Sequence, residues 1–182
     1  MEIYIERINP EGISLNFEHS VANFPVLTEM VAAGECEFTV PIKTAIRAQR
    51  INEMVEIDGD IETLVCLPCS RCLQLVETPL KTHFSLTYIQ RAGDIEADSE
   101  PQEVELSAED MGIDYFQGEK INLHDTIQEQ VLVEIPLKVL CKPGCKGLCP
   151  RCGTDLNDDP CDCDRRSSAS KFDVLKNLKL GK

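Results

Sequence analysis

The residues best equipped for chemistry in this chain are its ten cysteines, nine of which fall into two clusters. Cys66, Cys69 and Cys72 form the first; Cys141, Cys145, Cys149, Cys152, Cys161 and Cys163 form the second. In Cys149-Pro150-Arg151-Cys152-Gly153, two intervening residues let both sulfurs face one ion, and the glycine lets the backbone turn tightly beneath them. Cys161-Asp162-Cys163 follows closely enough to complete a four-sulfur tetrahedron with metal–sulfur distances of roughly 2.3 Å. Two pairs from distant parts of the chain remain, Cys69-Ser70-Arg71-Cys72 and Cys141-Lys142-Pro143-Gly144-Cys145, which together supply four sulfurs for a second site. Two other partitions satisfy the spacing: a single zinc taken entirely from the six C-terminal cysteines, or Cys66 in place of a member of the second set. Cys36 reads as a buried strand residue acting as a small hydrophobe.

Four thiolates around one divalent ion leave no coordination position for water, so either site is structural rather than hydrolytic. Zinc is the usual occupant of such a donor set, with iron as the alternative. Each site carries a net charge of about −2, four thiolates against one dication. Lys142, Lys146, Arg151, Arg165 and Arg166 are therefore in part counter-charges, and in part candidates for contact with RNA phosphate.

Catalytic readings are weaker. A redox role for Cys69 and Cys72 would call for a helix N-terminus to lower a thiol pKa, whereas Leu73-Gln74-Leu75-Val76 reads as a strand. The three histidines, His19, His83 and His124, are scattered, and no phosphate-cradling glycine loop, GxSxG elbow or HExxH pair is present. Absence of tryptophan and an aromatic content of 5% argue against a base-stacking platform.

Positioning these thiols falls to a strand-rich body. Residues 2–8 and 13–17 alternate apolar and polar around the turn Asn9-Pro10-Glu11-Gly12, and 26–33 suit a short helix. From 34 to 90 the pattern is strand-like, at 36–40, 54–65 and 82–89, with a bend expected at Asp58-Gly59 and a chain reversal at the cysteines of 66–72. Residues 92–119 hold ten carboxylates and no lysine or arginine, which predicts a solvated excursion with at most a short helix begun at Ser107. The clearest helix is 122–135: Asn122 as N-cap, Asp125 in the first turn, Leu123, Ile127, Val131, Leu132 and Ile135 on one face, and Pro136 as the stop. A shorter helix is expected at 170–179 from Phe172, Leu175 and Leu178.

The expected architecture is α+β: an antiparallel, partly closed sheet packed by the 122–135 helix, with a C-terminal zinc-knuckle segment. Residues 1–137 form the body and 138–182 the cysteine-rich tail. The charge of −14 over 182 residues divides unevenly between them. The body has eight basic and twenty-six acidic residues, while the tail has ten basic and six acidic. The net charge argues against generic phosphate-driven nucleic-acid binding, and the acidic body instead suits a basic protein partner. Met1-Glu2-Ile3-Tyr4-Ile5-Glu6-Arg7 places charges where a secretory signal would be apolar, and no stretch approaches the length of a membrane span. A cytoplasmic location and reduced, metal-bound thiols are the expectation.

Several segments together resemble the YceD family, named for accumulation of the large ribosomal RNA subunit. They are Leu64-Val65-Cys66-Leu67-Pro68-Cys69-Ser70-Arg71-Cys72-Leu73, Glu134-Ile135-Pro136-Leu137-Lys138, the run from Cys141 to Cys163 with Gly147-Leu148-Cys149-Pro150 and Asp155-Leu156-Asn157, and the closing Phe172-Asp173-Val174-Leu175-Lys176-Asn177-Leu178. The resemblance implies a non-enzymatic protein needed for synthesis, processing or stability of 23S ribosomal RNA, with a basic ribosomal protein or pre-ribosomal particle as partner. It also implies Cys69 and Cys72 as one ligand pair and the tail cysteines as the remaining ligands. Cys66 departs from the single CxxC usual at the family's reversal. A thiol or zinc-dependent redox protein and a zinc-ribbon adaptor for transcription machinery are the competing readings.

Overall fold

The computed structural model describes residues 1–90 and 113–163. The strands are β1 (Glu2–Tyr4), β2 (Ile13–His19), β3 (Glu37–Phe38), β4 (Ile42–Ile51), β5 (Met54–Pro68), β6 (Leu75–Gln90), β7 (Ile113–Phe116) and β8 (Lys120–Asn122). The helices are α1 (Pro25–Ala32) and α2 (His124–Glu134).

Alternation builds the core. Along β4 and β5, Ile42, Ile46, Val55, Ile57, Ile61 and Val65 point to one face, all at most 2% exposed, while the alternate residues, among them Lys43, Arg47, Glu56 and Glu62, face out. The main sheet runs β2-β4-β5-β6-β7, with β3 pairing β5 beyond the end of β4. Helix α2 covers it with Ile127 and Val131, joined by Leu123 at its N-cap. The Tyr88 hydroxyl lies 2.9 Å from that of Thr126, joining β6 to α2, and Gln128 accepts from the Val26 N–H, capping α1 across the core.

Several expectations need correction. The sheets are not closed: β1 and β8 form a separate two-stranded ribbon, and the β6–β7 pair is parallel. The antiparallel, partly closed sheet is therefore an open, mostly antiparallel one with a parallel edge. Asp58-Gly59 is no bend, since β5 passes straight through it. A Cβ on Gly59 would stand 2.3 Å from the Phe84 ring, so the glycine makes room for an aromatic lying across the neighbouring strand. Residues 113–116 of the expected acidic excursion are instead β7, held by the buried Phe116. Residues 92–112 of it, with Ser107, lie outside the described residues, as do the expected 170–179 helix and Arg165 and Arg166, while Gly118 and Glu119 turn the chain into β8. Residues 5–7 form a 3-10 turn rather than continuing β1. Asn122 sits one residue before the cap position, where its side chain accepts from the His124 N–H. Among the described residues, no helix is long and apolar enough to cross a membrane.

Candidate metal centre

Strands β5 and β6 pair along their full length and end at the reversal 69–74, so the Cys69–Cys72 turn stands on the most extensively paired hairpin of the sheet. Here Cys69 N–H donates to Gln74 O (2.8 Å) and Leu73 N–H to Cys69 O (3.0 Å). These bonds curl the backbone so that both sulfurs face the same side. The connection after α2 is bound to this turn by hydrogen bonds. Ser70 N–H donates to Val139 O (2.8 Å), Val139 N–H to the Ser70 hydroxyl (3.2 Å), Leu148 N–H to Arg71 O (3.1 Å), and the Arg71 guanidinium to Cys145 O (2.7 Å). Gly147, at φ +74°, passes so close to Arg71 that a Cβ would stand 2.9 Å from its carbonyl oxygen.

The result is a first group, Cys69, Cys72, Cys141 and Cys145, whose sulfurs all lie within 4.8 Å of one another. Cys69 and Cys145 are separated by 3.8 Å, and Cys72 and Cys141 by 3.5 Å, between sulfurs. None of the ten cysteines is in a disulfide. A tetrahedron with arms of roughly 2.3 Å has edges of about 3.8 Å, so the donor set and its dimensions fit a four-thiolate metal. A second group, Cys149, Cys152, Cys161 and Cys163, satisfies the same limit. It is built on a repeat of the first turn: Cys149 N–H donates to Thr154 O (2.8 Å) and Gly153 N–H to Cys149 O (2.9 Å). Bound there, a metal would supply cross-links, and with four sulfurs per ion it would offer no open position for a substrate.

Polar neighbours tune the thiols. Cys69 is lowered to about 6, chiefly by the Cys72 N–H and then by the Cys141 N–H, against burial. Cys145 is lowered chiefly by the Asn157 amide, whose Nδ2 donates to the sulfur at 3.3 Å. Cys141 is pushed up to about 12 by burial and by the other three sulfurs. For Cys72 the Gln74 N–H pulls downward, but burial and the Cys145 and Cys69 thiols outweigh it and the net direction is up. In the second group, Cys152 is lowered to about 6, first by the Thr154 hydroxyl at 3.2 Å, and Cys149 is lowered by the N–H groups of Cys152 and Arg151. Cys163 is pushed up to about 12, first by its hydrogen bond with Cys152 and then by burial. Two lowered and two raised thiols in the first group describe a set that shares protons when no metal replaces them.

The eight tail and reversal cysteines thus come together four and four. Cys66 lies on β5 outside both groups, half-buried opposite Glu37 and Glu77. Cys36 is buried in the core immediately before β3, and burial raises its thiol pKa. Sequence reasoning missed the supporting shell: Ser70, Arg71, Gly147, Thr154 and Asn157. For Asn157 a signal existed, since Asp155-Leu156-Asn157 is an Asx turn in which Asp155 accepts from the Asn157 N–H and amide and so aims the amide at Cys145.

A family model described as large ribosomal RNA subunit accumulation protein YceD matches residues 57–179, a span holding both groups of sulfurs. Among curated relatives, the chloroplastic large ribosomal RNA subunit accumulation protein YCED homolog 1 of Arabidopsis thaliana is 26% identical over 162 residues, covering 76% of this chain and 49% of the relative. Its Zea mays counterpart is 25% identical over 146 residues, covering 70% and 50%. An uncharacterized protein of Mycobacterium tuberculosis (strain H37Rv) is 30% identical over 115 residues, covering 63% and 51%. The chain spans about half the length of these relatives. No solved structure matches.

Proposed function

Because the chain belongs to the YceD family of large ribosomal RNA subunit accumulation proteins, we propose that it is a non-enzymatic factor supporting synthesis, processing or stability of 23S ribosomal RNA. The observation that carries this reading is the family match over residues 57–179, which takes in the reversal, α2 and all nine clustered cysteines. The chemistry is consistent with it. Eight thiols in two closed four-sulfur groups, with no open coordination position, suit a scaffold rather than a catalyst.

In this reading Cys69, Cys72, Cys141 and Cys145 hold one structural zinc, and Cys149, Cys152, Cys161 and Cys163 hold a second. The acidic body, with twenty-six carboxylates against eight basic residues, attracts a basic ribosomal protein or a pre-ribosomal particle that displays one. The basic residues of the tail are left for contact with ribosomal RNA, and the protein works in the cytoplasm.

The test is the ratio of large- to small-subunit ribosomal RNA in cells depleted of this protein, at matched growth rate. A selective fall in the large-subunit RNA is expected. An unchanged ratio contradicts the proposal and returns the redox and transcription-adaptor readings to the front.

A further inference from the structure

The outer face of the sheet changes character along the β5–β6 hairpin. In the middle its cross-strand rows are polar: Glu62 lies opposite Lys81, 2.8 Å apart, and Asp60 opposite His83, 3.0 Å apart. Toward the cysteine turn they become apolar, with Leu64 opposite Pro79, Cys66 opposite Glu77, and Pro68 opposite Leu75. Leu75 is 61% exposed and Leu73, in the turn itself, 64%, while Leu64, Cys66 and Pro68 are half-buried. On the inner face the intervening Val65 and Leu67 are buried in the core. Two carboxylates flank the outer strip on either side of Cys66, Glu77 on β6 and Glu37 on β3. Neither is in an ion pair among the described residues. An apolar strip about 14 Å long, four residues of strand, is thus open between two unpaired anions.

We propose that this strip is the seat of the chain's own segment 170–179, laid across it as a helix. Phe172, Leu175 and Leu178 recur every three residues, so a helix gathers them on one side over about 9 Å. Lys171, Lys176 and Lys179 fall within or beside that stripe, whereas Asp173 and Asn177 fall on the far side. An apolar stripe edged by cations therefore meets an apolar strip edged by anions. The segment also starts from the right place. Cys163 belongs to the knuckle, and the knuckle loop is tied to the tip of the same hairpin by Leu148 N–H donating to Arg71 O (3.1 Å). From there the stretch to Lys171 reaches up to about 27 Å when extended, longer than the strip itself. Docking covers Leu75, gives Glu37 and Glu77 their counter-charges, and pins the knuckle at its far end as Leu148 pins it at the near one. This contact is independent of the proposed function.

The test uses the full chain, coupled with a zero-length carbodiimide and mapped by mass spectrometry, with alkylation by iodoacetamide followed at Cys66. That thiol lies in the middle of the strip and outside both four-sulfur groups, so it reports cover there directly. Expected are cross-links from Lys171, Lys176 or Lys179 to Glu77 or Glu37, and slow alkylation of Cys66. Leu175→Asp, a change outside the sheet, should abolish those cross-links and speed Cys66 alkylation by about tenfold, the equivalent of one leucine's burial. Phe172→Asp should do the same, and Asn177→Asp, on the far side of the helix, should do neither. Four outcomes would overturn the proposal. One is a set of cross-links confined to Glu134, beside the other exposed apolar pair, Val133 and Leu137. The others are cross-links found only between two chains, a Cys66 rate unmoved by both stripe variants, and a response to Asn177→Asp as large as that to Leu175→Asp.

Discussion

The turns at 69–74 and 149–154 have the same hydrogen bonds and opposite surroundings. In each, the first cysteine donates its N–H to the residue five positions on and accepts from the residue four positions on, and that last residue has a left-handed backbone. It is Gly153 (φ 76°) in one and Leu73 (φ 64°) in the other. The first turn stands on the long β5–β6 hairpin and gathers sulfurs about seventy residues apart, three of the four buried. The second closes on itself within fifteen residues, and Cys152 is exposed. One motif thus serves as a clamp between remote segments and as a self-contained knuckle. A left-handed leucine costs about 1–2 kcal/mol, which the well-paired hairpin sustains and an isolated knuckle would not.

The largest expected effect separates clamp from knuckle. Cys72→Ser should remove the first site, release residues 138–149 from the sheet, and make the segment after α2 sensitive to protease. Cys161→Ser should remove only the second. Metal content per chain with limited proteolysis distinguishes the two, and equal protease sensitivity in both variants would contradict the division of labour.

Next in size, Asn157→Ala removes the amide that supports Cys145, a polar bridge from the knuckle loop to a clamp sulfur. Supporting groups of this kind are worth about 10–100-fold in metal affinity. Chelator competition should show weakening of that order at the clamp, while the knuckle holds its metal.

Proton competition gives a third. Cys72 and Cys141 are raised and protonated at neutral pH, so loading the clamp must expel at least these two protons. Affinity therefore rises with pH and falls on acidification, by about a hundredfold per unit or more near neutrality. Metal competition at two pH values checks the slope, and a flat profile would contradict the ligand assignment.

The smallest effects concern the left-handed position itself. Gly153→Leu should cost about 1–2 kcal/mol. Leu73→Gly should return less, because glycine's greater freedom in the unfolded chain offsets about 0.5–1 kcal/mol of the relief. Denaturant midpoints of the metal-loaded protein read both.

Much of this contrast is legible in the sequence. Spacing favours grouping Cys149 and Cys152 with Cys161 and Cys163, through the two-residue gap and following glycine, but it also admits a single site from the six C-terminal cysteines or Cys66 in the other set, and it is the fold that brings the sulfurs together four and four. What spacing cannot express is the matching of distant segments. The parallel β7 lies inside a carboxylate-rich stretch, where local composition favours solvent and only the burial of Phe116 against the sheet overrides it. Gly59 signals a bend in isolation, but Phe84, twenty-five residues on, decides that it is a flat place for a ring. The turn at Asn52, left-handed between β4 and β5, is a hairpin signal that the less periodic residues around it obscure. Ser70 and Arg71 read as spacers within a CxxC, and become the attachment points of the tail only once α2 delivers Val139 and Leu148 beside them.

The central claim is that two four-thiolate metals hold the cysteine-rich segment against the sheet. Its most direct test is the metal count of the protein purified without chelator, by elemental analysis and native mass spectrometry, with thiol reactivity followed in parallel. The account predicts two zinc ions per chain and eight thiols protected until chelator is added, whereupon the segment after α2 becomes protease-sensitive. A metal-free protein with all its thiols reactive, or one whose cysteines are paired as disulfides, would contradict it.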